Sequence, residues 1–313
     1  MALLVALSEL PQEKWAARLE VEAPGLEVRR WPHAGRREDI EFALVWKPPA
    51  GLLSSLPALK AIFSLGAGVD HILEDPHLPD VPIVRFVDPD LTQRMVEYVA
   101  LHVLFHHRQM FAYIEQQARG EWNDLRQAAA GRVGVGVMGL GELGGAAARQ
   151  LAALGFKVAG WSASRHTMDG IECFAGPEGL DAFLARSEIL VCLLPLTAQT
   201  RGMLDHRLFE KLSPDGPLGG PVLINAGRGG LHVEADIVAA LEAGLLKGAS
   251  LDVFEDEPLP RSSPLWRHPR VLVTPHCASV TAPYAVCTSV AEQIARFEAG
   301  APLANVIDRE RGY

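Results

Sequence analysis

The chain has 313 residues, 49% of them apolar and 21% charged, the profile of a globular protein able to bury sizeable cores and long enough for two domains. Its 29 basic against 38 acidic side chains leave a net charge of −9, which argues against a nucleic-acid partner or an anionic membrane surface. The apolar opening "MALLVAL" lacks a basic start and is far shorter than the roughly 18 apolar residues a membrane span needs, so neither a leader nor an anchor is expected.

Short apolar runs alternate with amphipathic stretches, the pattern of parallel α/β architecture. In the first third, strands are predicted at Leu3 to Leu7, Phe42 to Trp46, Ala61 to Leu65 and Ile83 to Val87. One long helical pattern follows, with Val96, Val99, Val103, Met110, Phe111 and Ile114 on a single face and Asp90 or Thr92 as its cap. A second series of strands is predicted at Arg132 to Met138, Lys157 to Trp161, Ile189 to Leu194, Pro221 to Ile224, Gly248 to Val253 and Arg270 to Thr274. The last helix, Ala282 to Ala299, carries Val286, Val290, Ile294 and Phe297 at helical spacing and stops at Gly300. The economical topology inserts the second series into the first. Residues 1–95 with 285–313 then form a substrate-binding domain and 96–284 a dinucleotide-binding domain. The expected fold class is α/β: two Rossmann-like or flavodoxin-like parallel-sheet lobes with an active-site cleft between them.

Gly139-Leu140-Gly141-Glu142-Leu143-Gly144 matches GxGxxG directly after a predicted strand and at the start of a helix. In that context the first glycine makes the tight turn and the second lets backbone approach a pyrophosphate. The third permits close helix–strand packing, and the helix N-terminus attracts the anion. About 20 residues on, where an NAD site places an acid, the chain reads "GWSASR". Ser162, Ser164 and Arg165 suit a 2′-phosphate, so NADPH is preferred and NADH remains possible; the alternative is an exposed arginine on an ordinary turn.

The later strand ends are polar. In "VLINAGRGG" an apolar strand delivers Arg228 to the lip of a core, Pro195 and Asp252 lie at two other strand ends, and His276 follows "VLVTP". In a parallel sheet these positions share the carboxyl edge, where ligands bind. Glu257, in a proline-stiffened loop past Asp252, lies on the same side. Arg228, Glu257 and His276 would each, alone, read first as structural; together, beside a dinucleotide motif, they read as a site.

These residues carry a resemblance. "SLGAGVDHIL", "GLGELG", "LLPLTAQT", "NAGRGG", "ALEAGLLKGASLDVFEDEPLP" and "SPLWRHPRVLVTPH" resemble the D-isomer-specific 2-hydroxyacid dehydrogenases in order and spacing, from about Phe42 to Tyr313. "VWKPP", "GWSASR" and the closing "VIDRERGY" are most similar to the family's bacterial glyoxylate/hydroxypyruvate reductase A branch. The resemblance implies an NAD(P)-dependent oxidoreductase in which His276 is the general acid, Glu257 orients its ring, and Arg228 holds the keto oxygen and carboxylate of a small 2-keto acid. It implies a carboxylate cradle at Ala67, Gly68 and Val69; Trp46, which follows a first-domain strand at the expected cleft, is a candidate wall of the substrate pocket. Cofactor contacts are implied at Gly139, Gly141, Glu142, Leu143, Gly144, Ser162, Ser164, Arg165, Leu194, Pro195, Thr200, Ala226, Asp252 and Ser279, with Asp252 taking the nicotinamide carboxamide. It also implies a homodimer, to which Trp122 is a candidate contributor, though Trp46 and Trp122 each read first as simple packing. Cys277, after the catalytic-type histidine, departs from the aliphatic residue common there.

Three readings compete with the main one. A sibling enzyme would act on another 2-hydroxy acid, and a cofactor-sensing binding protein would keep the same Arg/Glu/His set without turnover. His102 and His106, with His107 beside them, have metal-compatible spacing, but no carboxylate completes HExxH and no metal is expected. The four cysteines are scattered with no CxxC pair, which fits a reduced cytoplasm.

Overall fold

The computed structural model describes residues 1–8 and 10–313, which divide into two compact units. The first comprises Met1–Pro89 and Val280–Tyr313, and the second Asp90–Ser279. The sequence reading set these seams at 95/96 and 284/285, inside the two helices that open beside the observed seams.

The first unit is built on β1 (Ala2–Leu7), β2 (Glu27–Arg30), β3 (Ile40–Trp46), β4 (Ala61–Ser64) and β5 (Ile83–Val84), with helices α1 (Gln12–Glu22) and α2 (Asp70–Leu73). The strands form a parallel sheet in the order β2-β1-β3-β4-β5. Every residue of β1 is buried, because helices and loops cover both faces of a parallel sheet, so "ALLVAL" runs apolar without alternation. Ile40, Val45, Leu53, Ile62 and Ile72 complete the core on one face.

The second unit opens with α3 (Pro89–His107) and α4 (Met110–Arg119). One continuous helix was expected here. It is broken because Gln109 takes a left-handed conformation (φ 56°) and its side-chain amide donates to the carbonyl of Arg126 at 2.7 Å. Asp90 and Thr92 lie within the first turn of α3 instead of capping it.

A seven-stranded parallel sheet follows, made of β6 (Gly134–Met138), β7 (Lys157–Ser162), β8 (Glu172–Ala175), β9 (Ile189–Cys192), β10 (Val222–Asn225), β11 (Gly248–Leu251) and β12 (Val271–Val273). Its helices are α5 (Glu142–Ala153), α6 (Gly176–Leu184), α7 (His206–Phe209) and α8 (Glu234–Glu242). The order is β12-β11-β10-β9-β6-β7-β8, so the winding reverses between β6 and β9. Crevices at such reversals, beyond the carboxyl ends, are where doubly wound sheets take ligands. The chain returns to the first unit as α9 (Pro283–Glu298), whose Val286, Val290 and Ile294 are buried and which ends before Gly300 (φ 88°).

Candidate active site

At the reversal, β6 ends and α5 begins within a few residues. Gly139 has φ 95°, a left-handed turn that a side chain would strain, and a Cβ there would lie 2.8 Å from the carbonyl oxygen of Leu193. A Cβ on Gly144 would lie 1.7 Å from the carbonyl oxygen of Gly139, so α5 can sit this close to the turn only without a side chain. Gly141 faces open space and no side chain caps α5, leaving the first amides of this 12-residue helix directed outward. Glu142 is exposed and Leu143 half-buried.

At the end of β7, the Ser162 hydroxyl is buried and donates to the carbonyl of Ser164 at 2.7 Å. That bond turns Ser164 and Arg165 outward, and both are exposed, with no acid in the turn. After β9, Leu194 is buried and the Thr200 hydroxyl donates to the carbonyl of Pro195 at 2.7 Å, closing the loop. Ala226, buried at the end of β10, donates its amide to Cys192. The Ser279 hydroxyl donates to the carbonyl of Leu91 at 2.6 Å. Thus Ser162, Thr200 and Ser279 are engaged with backbone, while Ser164, Arg165 and the glycine turn face outward.

Arg228 is half-buried just past β10, its guanidinium donating to the carbonyl of Gly227 at 2.9 Å. The loop beneath it is pinned by Asn225, which is fully buried. Its amide nitrogen donates to the Arg228 carbonyl (3.0 Å) and to His232 Nδ1 (2.9 Å), while its oxygen accepts from the Gly227 amide (3.0 Å). Burial pushes the His232 imidazole down to about 4, so the ring is neutral and its Nδ1 can accept. A Cβ on Gly229 would lie 1.8 Å from the carbonyl oxygen of Phe254. The arginine loop and the loop after β11 therefore touch backbone to backbone.

That second loop carries Glu257. Its Oε2 lies 2.9 Å from His276 Nδ1, and its Oε1 accepts from the Phe254 amide at 3.2 Å. The His276 side chain is 34% exposed, so the ring is held on one side and open on the other. His276 has φ 50°, unusual for a residue with a side chain, and its amide donates to the Asp252 carbonyl at 2.7 Å. The Asp252 carboxylate, 1% exposed, accepts from the Thr274 hydroxyl (2.6 Å) and the amides of Cys277 (2.9 Å) and Ala278 (2.8 Å). Burial raises the Cys277 thiol, with Asp252 adding to the effect, so it stays protonated near neutrality.

In the first unit, Trp46 ends β3 with its ring 4.5 Å from that of His71 and its edge against Gly66. The loop after β4 is tied by the Ser64 hydroxyl, which donates to the Gly68 carbonyl at 3.0 Å. Among the described residues, the backbone amides of Ala67, Gly68 and Val69 donate to no protein acceptor. The three histidines of α3 turn to separate partners: His102 Nδ1 to the Tyr98 carbonyl (2.8 Å), His106 Nε2 to the Ser250 hydroxyl (2.9 Å), and His107 edge-on to Phe156.

Sequence reasoning did not single out Asn225, His232, Tyr98 or Thr274. An asparagine ending an apolar strand is a readable signal, since it must bond to something buried. Tyr98 is hidden in the apolar stripe of α3.

Residues 100–278 match the family described as D-isomer specific 2-hydroxyacid dehydrogenase, NAD binding domain. The chain belongs to the D-isomer-specific 2-hydroxyacid dehydrogenase family. Glyoxylate/hydroxypyruvate reductase A of Serratia proteamaculans is 42% identical over 307 residues, covering 96% of each chain. The fold is similar to that of an NADPH-dependent glyoxylate/hydroxypyruvate reductase from Sinorhizobium meliloti in complex with NADP and sulfate. That match has TM-score 0.94 and 51% identity, over 100% of this chain and 99% of the other. A D-isomer specific 2-hydroxyacid dehydrogenase from Xanthobacter autotrophicus Py2, in complex with NADPH and MES, has TM-score 0.93 and 42% identity, over 100% and 99%. Membership makes this dehydrogenase an NAD(P)-dependent oxidoreductase, and no helix among its described residues is long and apolar enough to cross a membrane.

Proposed function

We propose that this chain is an NADPH-preferring reductase of small 2-keto acids, glyoxylate and hydroxypyruvate first, yielding glycolate and D-glycerate. The observation that carries the reading is the 2.9 Å contact of His276 with Glu257, on the sheet edge that also bears Arg228 and the glycine turn. The glycine turn fits a dinucleotide: it has an uncapped helix start, an open face at Gly141, and a close approach at Gly144 that only glycine permits. Gly139 to Gly144 would hold the pyrophosphate and Ser164 and Arg165 the 2′-phosphate. Leu194, Pro195, Thr200, Ala226 and Ser279 would border the cofactor through backbone and packing, and Asp252 would lie near the carboxamide.

When bound, the reduced nicotinamide supplies a hydride to the keto carbon. His276 delivers the proton to the keto oxygen from Nε2, the nitrogen that Glu257 leaves open. Glu257 fixes the ring plane and offsets the imidazolium charge. Arg228 donates to the keto oxygen and the carboxylate, so that its fixed charge meets the alkoxide as it develops. In the first unit, taken by itself, the amides of Ala67, Gly68 and Val69 donate to no protein acceptor among the described residues and would suit a carboxylate, and Trp46, packed against Gly66 and His71, would border that loop.

The test is to follow oxidation of NADPH and of NADH with glyoxylate, hydroxypyruvate, pyruvate and phenylpyruvate. Fast turnover of the first two with NADPH is expected. Tight NADPH binding with no turnover of any keto acid would replace this reading with that of a cofactor-binding sensor.

The reading includes a cytoplasmic homodimer. Four free thiols (Cys173, Cys192, Cys277 and Cys287) suit a reducing compartment. Leu101, Leu104, Met110, Ile114 and Trp122 are exposed apolar side chains on or just beyond α3 and α4, Trp122 at 99%, and a second copy is the partner that would cover them. Light scattering of the purified protein decides the oligomeric state.

A further inference from the structure

Three polar side chains form a line that leads to His276. The Tyr98 hydroxyl lies 2.8 Å from the Thr274 hydroxyl, which in turn donates to the Asp252 carboxylate at 2.6 Å. A threonine hydroxyl has one hydrogen, so Tyr98 is the donor and the line runs Tyr98 to Thr274 to Asp252. Such a one-way chain polarises each bond along it and strengthens the last. Its end point is the carboxylate that gathers the amides of Cys277 and Ala278, while the Asp252 carbonyl gathers that of His276. These bonds bracket the one residue of the turn in the left-handed region, His276 at φ 50°.

Tyr98 is itself fixed. It is buried on α3, its ring lies 3.9 Å from that of His102, and its carbonyl bonds to His102 Nδ1. Burial pushes its phenol up, so it stays a donor. We propose that Tyr98 is a positioning residue for His276, acting through Thr274 and Asp252 to hold the left-handed turn that aims the imidazole. The proposal rests on the reading of His276 as proton donor.

A ring that merely fills space predicts otherwise, because Tyr98→Phe keeps the ring and removes only the donor. With NADPH and glyoxylate, Tyr98→Phe is expected to lower kcat about fivefold and leave the KM for NADPH within about twofold. Thr274→Val, which breaks the line closer to Asp252, should lower kcat about tenfold, and Thr274→Ser should restore it to within about twofold. The double variant Tyr98→Phe/Thr274→Val should be no slower than Thr274→Val alone, since both break one path. Unchanged kcat in Tyr98→Phe, or a double variant equal to the product of the singles, overturns the proposal. Should Tyr98→Phe fail to fold, the Thr274 pair still decides, and equal loss in Val and Ser variants counts against the line.

Amide exchange separates this inference from the reading beneath it. Tyr98→Phe should speed exchange at Cys277 and Ala278 about tenfold while β6 and β7 stay protected, whether or not any keto acid is reduced. No turnover by the parent protein sinks the catalytic reading. Unaltered exchange in the variant sinks the line itself.

Discussion

The two units share a parallel-sheet architecture and differ in what they bury. Among the described residues of the first, Ser64 is the one buried polar or charged side chain; the rest of its interior is hydrocarbon, aromatic ring and the thiol of Cys287. The second buries His102, His106, His107, Gln116, Ser162, Ser187, Glu188, Asn225, His232, Ser250 and Asp252. Buried polar groups cost free energy unless bonded, and bonded they fix geometry more tightly than apolar packing does. The second unit uses them that way: Asn225 sets the Arg228 loop and Asp252 the His276 turn. The first unit offers mainly backbone amides and the packed face of Trp46.

Four perturbations test this division, from the largest expected effect downward. His276→Gln should lower kcat for glyoxylate by about 10²- to 10⁴-fold, the range for losing a general acid, with NADPH affinity within about threefold by fluorescence titration. Retained turnover would move the proton donor elsewhere. Acid is the next. His232 and His106 are held neutral by burial, pushed down to about 4 and about 3, whereas in the unfolded chain they protonate near 6.5. The unfolded state therefore binds more protons below that pH. Their contribution is intact above about 6.5 and is lost as pH falls toward the folded values, by roughly 3 kcal/mol for His232 alone at the acid end. Amide exchange at pH 5 should show β10 and β11 loosening before β1 and β3, and the reverse order would break the comparison.

Smaller effects probe the rims. Arg165→Ala should raise the KM for NADPH about tenfold and leave that for NADH nearly unchanged, because an exposed guanidinium matters only where a 2′-phosphate meets it. Equal losses with both cofactors would place Arg165 off the cofactor. Trp46→Phe should raise the KM for hydroxypyruvate only about threefold with little change in kcat, read from initial rates. A large loss of kcat would show that Trp46 does more than contact substrate.

The strongly apolar central strands were legible because parallel strands buried on both faces read as continuous hydrophobic runs. The two strands that went unseen, "EVRR" in β2 and "ECFA" in β8, are sheet edges with half-exposed residues, where nothing forces apolar patterning. The break at Gln109 was invisible because it depends on a bond to Arg126, 17 residues away. For the candidate site, Arg228, Glu257 and His276 stood out by their places after strands, and the structure brings Glu257 and His276 into contact. The groups behind them did not: Tyr98 meets Thr274 across 176 residues, a distance no local pattern records.

The backbone contact at Gly229 has one more consequence. Because the arginine loop and the glutamate loop meet there without a side chain between them, they behave as a single casting: any residue larger than glycine displaces both. A substitution that shifts the Arg228 loop therefore shifts the loop that carries Glu257, and Glu257 is bonded to the ring of His276.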